Sequence, residues 1–209
     1  MTWQILIASV YSRTRALDSL LARLSKQASP FAGEVGILVD RDDCDQPVGV
    51  KRTRLVQAAT AEHVCFVDDD DDVRDDYIAQ IMYLLTGDPD YVGFRVAYSI
   101  DGARQKDAIH KLGQPWSETE DAYLRGISHL NPIRREAALA GLPFRDGFGE
   151  DHEWSEKVEA SGLVKVGAYI DECLYHYRYS SQGSLFKAGP QRVGSDPGLP
   201  SYPFVEVLA

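Results

Sequence analysis

Long hydrophobic runs are missing from this sequence. No stretch approaches the roughly 18 apolar residues that a membrane-spanning helix needs, and the opening MTWQILIASVYSR has no basic segment ahead of its short apolar run. The expectation is a soluble, cytoplasmic chain without a membrane anchor. Cysteine is scarce too: Cys44, Cys65 and Cys173 are odd in number and form no CxxC pair. That gives neither a zinc signature nor a disulfide framework, as expected in a reducing compartment. Surplus positive charge is also absent. With 22 basic against 32 acidic residues the formal net charge is −10, which argues against a surface dominated by phosphate-backbone binding. Local basic clusters remain, at Arg13, Arg15, Arg23 and Lys26 and again at Lys51, Arg52 and Arg54. No internal repeat, low-complexity tract or glycine-rich N-terminal phosphate loop is found.

What is present suffices for one globular domain: 209 residues, 44% hydrophobic and 10% aromatic. Residues 4–10 (QILIASV) read as a buried strand, and residues 15–27 as an amphipathic helix with Leu17, Leu20, Leu21 and Leu24 on one face. A second strand, 35–39, ends on Asp40; a helical pattern over 50–61 leads to a third strand at 63–67. This β-α-β-α-β order predicts a parallel, doubly wound half-sheet whose strand ends bring Ser9, Asp40 and Asp68 to one edge. Further along, the pattern predicts a helix over 75–85, a strand over 91–100, and a turn at Asp101-Gly102. Residues 104–128 read as loop-rich, 127–133 as extended and 134–140 as a short helix. A helix begins after the glycine-rich turn 145–149, and 164–169 and 173–177 are late strands. From residue 180 onward Gly and Pro forbid long regular elements, so 180–209 is expected to be a lid or an arm.

Five consecutive aspartates, Asp68 to Asp72, follow the third strand directly. Adjacent carboxylates repel, so a positive partner is expected there, and oxygen-rich clusters suit hard cations such as Mg²⁺ or Mn²⁺. Spacing tests the metal classes. An EF-hand loop counted from Asp68 needs Gly and Glu where Val73 and Ala79 stand, which excludes it. A haloacid dehalogenase phosphatase would use the string Asp69, Asp71, Val73 with Asp69 as nucleophile, and stays as an alternative. So does a non-catalytic sugar-nucleotide-binding module.

Four ordered segments carry a resemblance over most of the chain: ILIASVYSRTRALDSLL, then VGILVD followed by VKRTRLVQAATAEHVCFVDDDDD, then FRDGFGEDHEW, and finally LYHYRYSS. The sequence resembles the glycosyltransferase family 2 proteins. That resemblance implies an α/β GT-A fold over residues 1–179, with a mostly parallel nucleotide-binding half (1–72), a mixed acceptor half (73–179) and a separate tail (180–209). It further implies a metal-dependent, inverting transfer of a sugar from a nucleotide diphosphate sugar, expected to be UDP-linked, to an acceptor hydroxyl.

The roles it implies are specific. Asp70 would hold Mn²⁺ or Mg²⁺, with Asp68 on the ribose or a metal-bound water and His176 as a further ligand. Asp151 would be the general base, with Glu150 its rival and Thr119-Glu120-Asp121 a second acidic string. Ser9, Tyr11, Arg13, Asp40, Lys51, Arg52, Asp68 and Asp69 would face the donor nucleotide, and Arg178 its diphosphate. Trp116, His129, Arg134 and Trp154 would face the acceptor, either a glycan or a hydroxymethylated base in phage-type DNA. Asp-Arg-Asp-Asp (40–43) and Thr53 depart from the family pattern, which leaves the donor base open.

Overall fold

A computed structural model describes residues 1–181 and 205–208. The first strand, β1 (Trp3–Val10), is almost wholly buried and pairs in parallel with β2 (Val35–Asp42) and β3 (His63–Phe66). Helix α1 (Thr14–Ala28) buries Leu17, Leu20 and Leu24 on the face predicted from their spacing. Helix α2 (Val48–Ala58) covers the other face with Leu55 and Val56. The parallel half-sheet expected from the element order is therefore present.

Two short pieces, β4 (Asp72–Val73) and helix α3 (Tyr77–Leu85), follow the aspartates. The second half is built on β5 (Tyr91–Ile100), whose predicted bounds hold. The stretch read as loop-rich carries four short strands, β6 (Ala103–Arg104), β7 (Ala108–His110), β8 (Ser117–Glu118) and β9 (Tyr123–Arg125). Each has only two or three residues, too few for a period to show in sequence. Strand β10 (Ile133–Arg134) is followed by helices α4 (Arg135–Ala140) and α5 (Glu150–Ala160). The two late strands of the sequence reading are one, β11 (Gly167–Tyr179), with register shifts at Cys173 that break its alternation.

Within the stretch where Gly and Pro forbid long regular elements, a short strand, β12 (Val205–Leu208), pairs antiparallel with β2. Whether the rest of 180–209 is a lid lies outside the described residues. All twelve described strands join one mixed sheet, ordered β12-β2-β1-β3-β10-β5-β7-β9-β8, with β11 between β5 and β4 and with β6 on β5. The carboxyl end of β3 thus lies beside β11 and α5, which is where a site can be assembled from both halves.

Candidate functional site

The aspartate run turns back on itself, Asp71 N donating to the Asp68 carbonyl, so its five carboxylates point to different partners. Asp68 meets Arg52 at 2.8 Å. Buried Asp69 accepts from the Ser9 hydroxyl (2.6 Å) and from Arg13 (2.7 Å). Asp70 keeps a 43% exposed side chain and meets the second Arg13 nitrogen at 2.8 Å. Buried Asp71 accepts from the Tyr175 hydroxyl (2.8 Å) and the Arg178 backbone N–H (2.7 Å), while Tyr175 also takes the Asp68 N–H. Asp72 lies between Arg23 and Arg178. Four arginines thus supply the positive charge that the run requires.

Burial and these neighbours set the proton affinities. Burial, the largest influence, would raise the Asp68 carboxyl, but the charge and hydrogen bond of Arg52, with His129 and Arg13 adding to them, together outweigh it and the net shift is downward. At Asp71 burial, reinforced by the Asp68 charge, pushes the carboxyl well above its ordinary range. Burial also raises Asp70, although Arg13 opposes it. The tightest node is Arg52, buried against Phe66 and Phe144 and paired with both Asp68 and Glu150. It ties the end of β3 to the start of α5.

Helix α5 begins at Gly149, whose φ of 83° is open to glycine with little cost. Behind that turn, a side chain at Gly49 of α2 would meet the Arg145 carbonyl oxygen at 2.2 Å, so glycine there lets the turn sit against the helix. Glu150, Asp151 and Glu153 occupy the positive first turn of α5. Their fates differ. Glu150 is buried and consumed by Arg52, whereas Asp151 is 33% exposed and has the His129 ring 3.7 Å away. His129 is buried, packs against Phe66 with its ring tilted by 54°, and has no hydrogen-bond partner on either ring nitrogen. Burial and then Arg52 lower its pKa to about 4, so the ring is neutral.

Several expected site residues are used elsewhere. Lys51 is buried and donates to the Ser9 carbonyl and Asp42, and Arg52 lies under the site rather than in it, so neither offers a free charge to a diphosphate. Asp40 is held by two Arg54 nitrogens at 2.9 and 3.0 Å, and Ser9 is buried behind Asp69 rather than open to a base. Arg134 pairs with Asp88 and with His63 in register, at the opposite end of β3 from the aspartates, so it does not reach the acceptor side. Trp154 is core: it stacks on Phe144 at 5.1 Å and donates to the Ala138 carbonyl.

His176 also departs from expectation. Strand residues alternate faces, and Tyr175 faces Asp68 and Asp71, so its neighbour turns away, opposite Asp72 in register. It lines a hollow of about 200 Å³ together with Tyr98, Ser99, Arg104, Tyr177 and Arg178. Among the described residues no cluster of three or more His, Cys, Asp or Glu side chains is placed to hold a metal. Asp69, the nucleophile of the phosphatase alternative, is buried and both its carboxylate oxygens are taken, one by the Ser9 hydroxyl and one by Arg13.

Tyr11 stays exposed at the end of β1 with Arg41 over its ring at 4.5 Å, and Arg178 is half-exposed. Trp116 lies beside the α5 start, 4.3 Å from the His152 ring. The sequence reading missed Tyr175, whose hydroxyl orders the aspartate turn. It also missed Tyr98, Tyr123 and Tyr177, which form a run of rings leading from that turn. The signal was there in LYHYRYSS, where Tyr175, Tyr177 and Tyr179 recur with period two.

No family model and no curated protein sequence matches the chain. Solved structures do. S. aureus TarS 1-349 in complex with UDP-GlcNAc superposes with a TM-score of 0.64 at 14% identity over 90% of this chain, and the complex with UDP gives 0.63 at 16% over 86%. The chain spans 61% of either TarS chain. The catalytic domain of Drosophila beta1,4galactosyltransferase 7 in complex with xylobiose gives 0.52 at 13% identity, covering 84% of this chain and 70% of that one. With its parallel half-sheet, its aspartate turn and its mixed second half, this chain has the GT-A fold of those glycosyltransferases.

Proposed function

We propose that this chain is a metal-dependent, inverting glycosyltransferase that moves a sugar from a UDP-linked donor to an acceptor hydroxyl. One observation carries the reading: a half-exposed carboxylate at Asp70 and another at Asp151 face the same edge of the sheet, joined from below by the Asp68–Arg52–Glu150 bridge. The two structural neighbours crystallised with UDP-GlcNAc or UDP support the donor class.

The donor set fits a hard divalent cation only in part. Asp70 and Asp68 provide oxygens alone, which suits Mg²⁺ or Mn²⁺, and such ions routinely complete their shell with substrate phosphates and water. Bound there with the donor, the cation would act as a Lewis acid that offsets charge on the departing diphosphate. The remaining work falls to protein groups. Tyr11, exposed at the end of β1, would stack on the base, and the exposed Arg178 would meet the diphosphate. Arg13 spans Asp69 and Asp70 and so holds the carboxylate turn in shape. Asp151 accepts the proton of the acceptor hydroxyl as its oxygen attacks the anomeric carbon, with the neutral His129 ring behind it. Glu150 cannot serve as that base while Arg52 holds it.

Calorimetric titration of UDP in Mn²⁺, in Mg²⁺ and in chelator tests the donor side. The expected result is an affinity at least tenfold higher with metal, and a Asp70→Asn variant whose affinity no longer depends on metal. Equal binding in chelator would remove the metal from the reading, and no UDP binding at all would remove the donor.

A further inference from the structure

The acceptor half carries a run of aromatic rings that connects the aspartate turn to Asp151. Tyr177 packs on Tyr98 with centroids 4.8 Å apart, and Tyr98 on Tyr123 at 5.6 Å. The Arg125 guanidinium then lies over both Tyr123 (5.5 Å) and Trp116 (4.8 Å), and Trp116 meets His152, the neighbour of Asp151, at 4.3 Å. All five rings are partly buried, each keeping some surface open to solvent. The strands place them so: Tyr177, Tyr98 and Tyr123 come from β11, β5 and β9, and Trp116 immediately precedes β8. Burial pushes the Tyr98 phenol up to about 12, so it remains a neutral hydroxyl able to donate.

Rings of this kind stack equally well on the apolar face of a sugar and on a nucleobase. Charge separates the two. Binding of a nucleic-acid strand rests on lysines and arginines that neutralise phosphates. The segments beside Trp116 and His152, 117–121 and 146–153, contain seven carboxylates and no lysine or arginine; Glu118, Glu150 and Glu153 are paired with Lys106, Arg52 and Arg145, and Glu120, Asp121, Asp146 and Asp151 remain to set the charge of the rim. The nearby cations are already engaged: Lys106 with Glu118, Arg145 with Glu153, Arg125 between two rings, and, beside Tyr98 and Tyr177, Arg104 with Asp107 and Arg178 with Asp72. A polyanion would meet a repulsive rim here, whereas an uncharged sugar would not.

We infer that the Tyr177–Tyr98–Tyr123–Trp116–His152 run is an acceptor platform for a neutral carbohydrate, which excludes a DNA base as acceptor. This names the acceptor of the transfer proposed above and rests on it only for the chemistry, not for binding. Trp3 and Trp154 are fully buried and Trp116 is not, so intrinsic fluorescence reports on the platform.

The test titrates the full chain with cellobiose, lactose, xylobiose and chitobiose, and separately with an oligothymidylate and a DNA duplex containing hydroxymethylcytosine. Fluorescence and saturation-transfer NMR are read, with UDP binding followed in parallel by calorimetry. The expected result is binding of at least one disaccharide and of neither nucleic acid. Trp116→Ala should then weaken the saccharide by roughly five- to tenfold, the loss of one stacking contact, with UDP affinity unchanged. His152→Ala should act in the same direction, and Trp116→Phe should retain most of the affinity. Stronger binding of either nucleic acid, silence from every disaccharide, or an unchanged saccharide affinity in both alanine variants overturns the inference. Saccharide binding without UDP binding would leave the platform standing and remove the donor reading instead.

Discussion

The two halves of the sheet handle their functional groups in opposite ways. On the donor side nearly every charge has a fixed opposite charge: Arg13 with Asp69 and Asp70, Arg52 with Asp68, Lys51 with Asp42, Arg54 with Asp40. On the acceptor side the central groups are neutral rings, among them His110, which is buried against Phe94 and bonded to the Asn131 side chain. The difference follows from what each half is proposed to meet. Charges aimed at a diphosphate and a cation must be held in place before the ligand arrives, because a loose carboxylate run would splay apart or protonate. A surface that meets an uncharged ring needs shape and polarizable area instead.

The largest effect expected from a single change falls where the halves meet. Asp151→Asn should lower kcat by about 10²- to 10⁴-fold, the range of a lost general base, while UDP affinity measured by calorimetry stays the same. A loss of UDP binding of similar size would assign Asp151 to the donor side and blur the division. Next is Arg52→Met, which leaves Asp68 and Glu150 without their buried counter-charge and should cost about 3–5 kcal/mol in chemical denaturation. Adding Glu150→Gln to it should recover part of that cost, since one stranded charge is removed. If Arg52→Met unfolds no more easily than the parent, the donor half is not held by its charges.

A third expectation concerns pH and the neutral half. Burial first, with Arg125 adding to it, lowers His110 to about 4 against 6.5 in the unfolded chain. Between those values the unfolded chain takes up a proton that the folded chain refuses. The contribution to stability is therefore present above pH 6.5 and lost as the pH falls toward 4, by roughly 2 kcal/mol at pH 5. Asp70, Asp71 and Glu150, raised by burial, act in the opposite sense, but they are common to parent and variant. His110→Phe should thus flatten the parent's loss of stability between pH 7 and 5 by that amount, in denaturation curves recorded in chelator. An identical pH slope in the two proteins would show that His110 is not held neutral. Smallest is Tyr175→Phe, which strips a hydroxyl from the Asp68 N–H and the Asp71 carboxylate. It should cost about 1–2 kcal/mol, and a smaller loss would mean that the turn is held by arginines alone.

Much of the fold was legible because its first half obeys simple periodicities. Leu17, Leu20 and Leu24 mark one helical face, and 63–67 is apolar and bounded, so β1 to β3 and their helices could be drawn from spacing. The second half was harder to read. Strands of two or three residues, such as β6 and β8, are fixed by pairing with distant partners and leave no local pattern. Among site residues, the edge that gathers the aspartates and Asp151 followed from strand direction, but which charges are free did not. Lys51, Arg52 and Arg54 look alike in a basic string, yet Lys51 turns inward to Asp42 and the Ser9 carbonyl and Arg52 to Glu150 far along the chain, and only tertiary placement decides that. Trp154 was misread for a similar reason, since it falls on the buried stripe Glu150, Trp154, Val158 that seats α5 against the core.

The pairing of β12 with β2 has a practical consequence for the sheet margin. Beyond β1, the strand β2 would otherwise end the sheet with a row of backbone donors and acceptors over Gly36–Val39, which Val205–Leu208 takes up. Cutting the chain before residue 205 would uncover that row without touching the proposed chemistry. The shortened protein would then offer a ready template for a second copy to add a strand, and would be expected to self-associate with concentration while still recognising UDP.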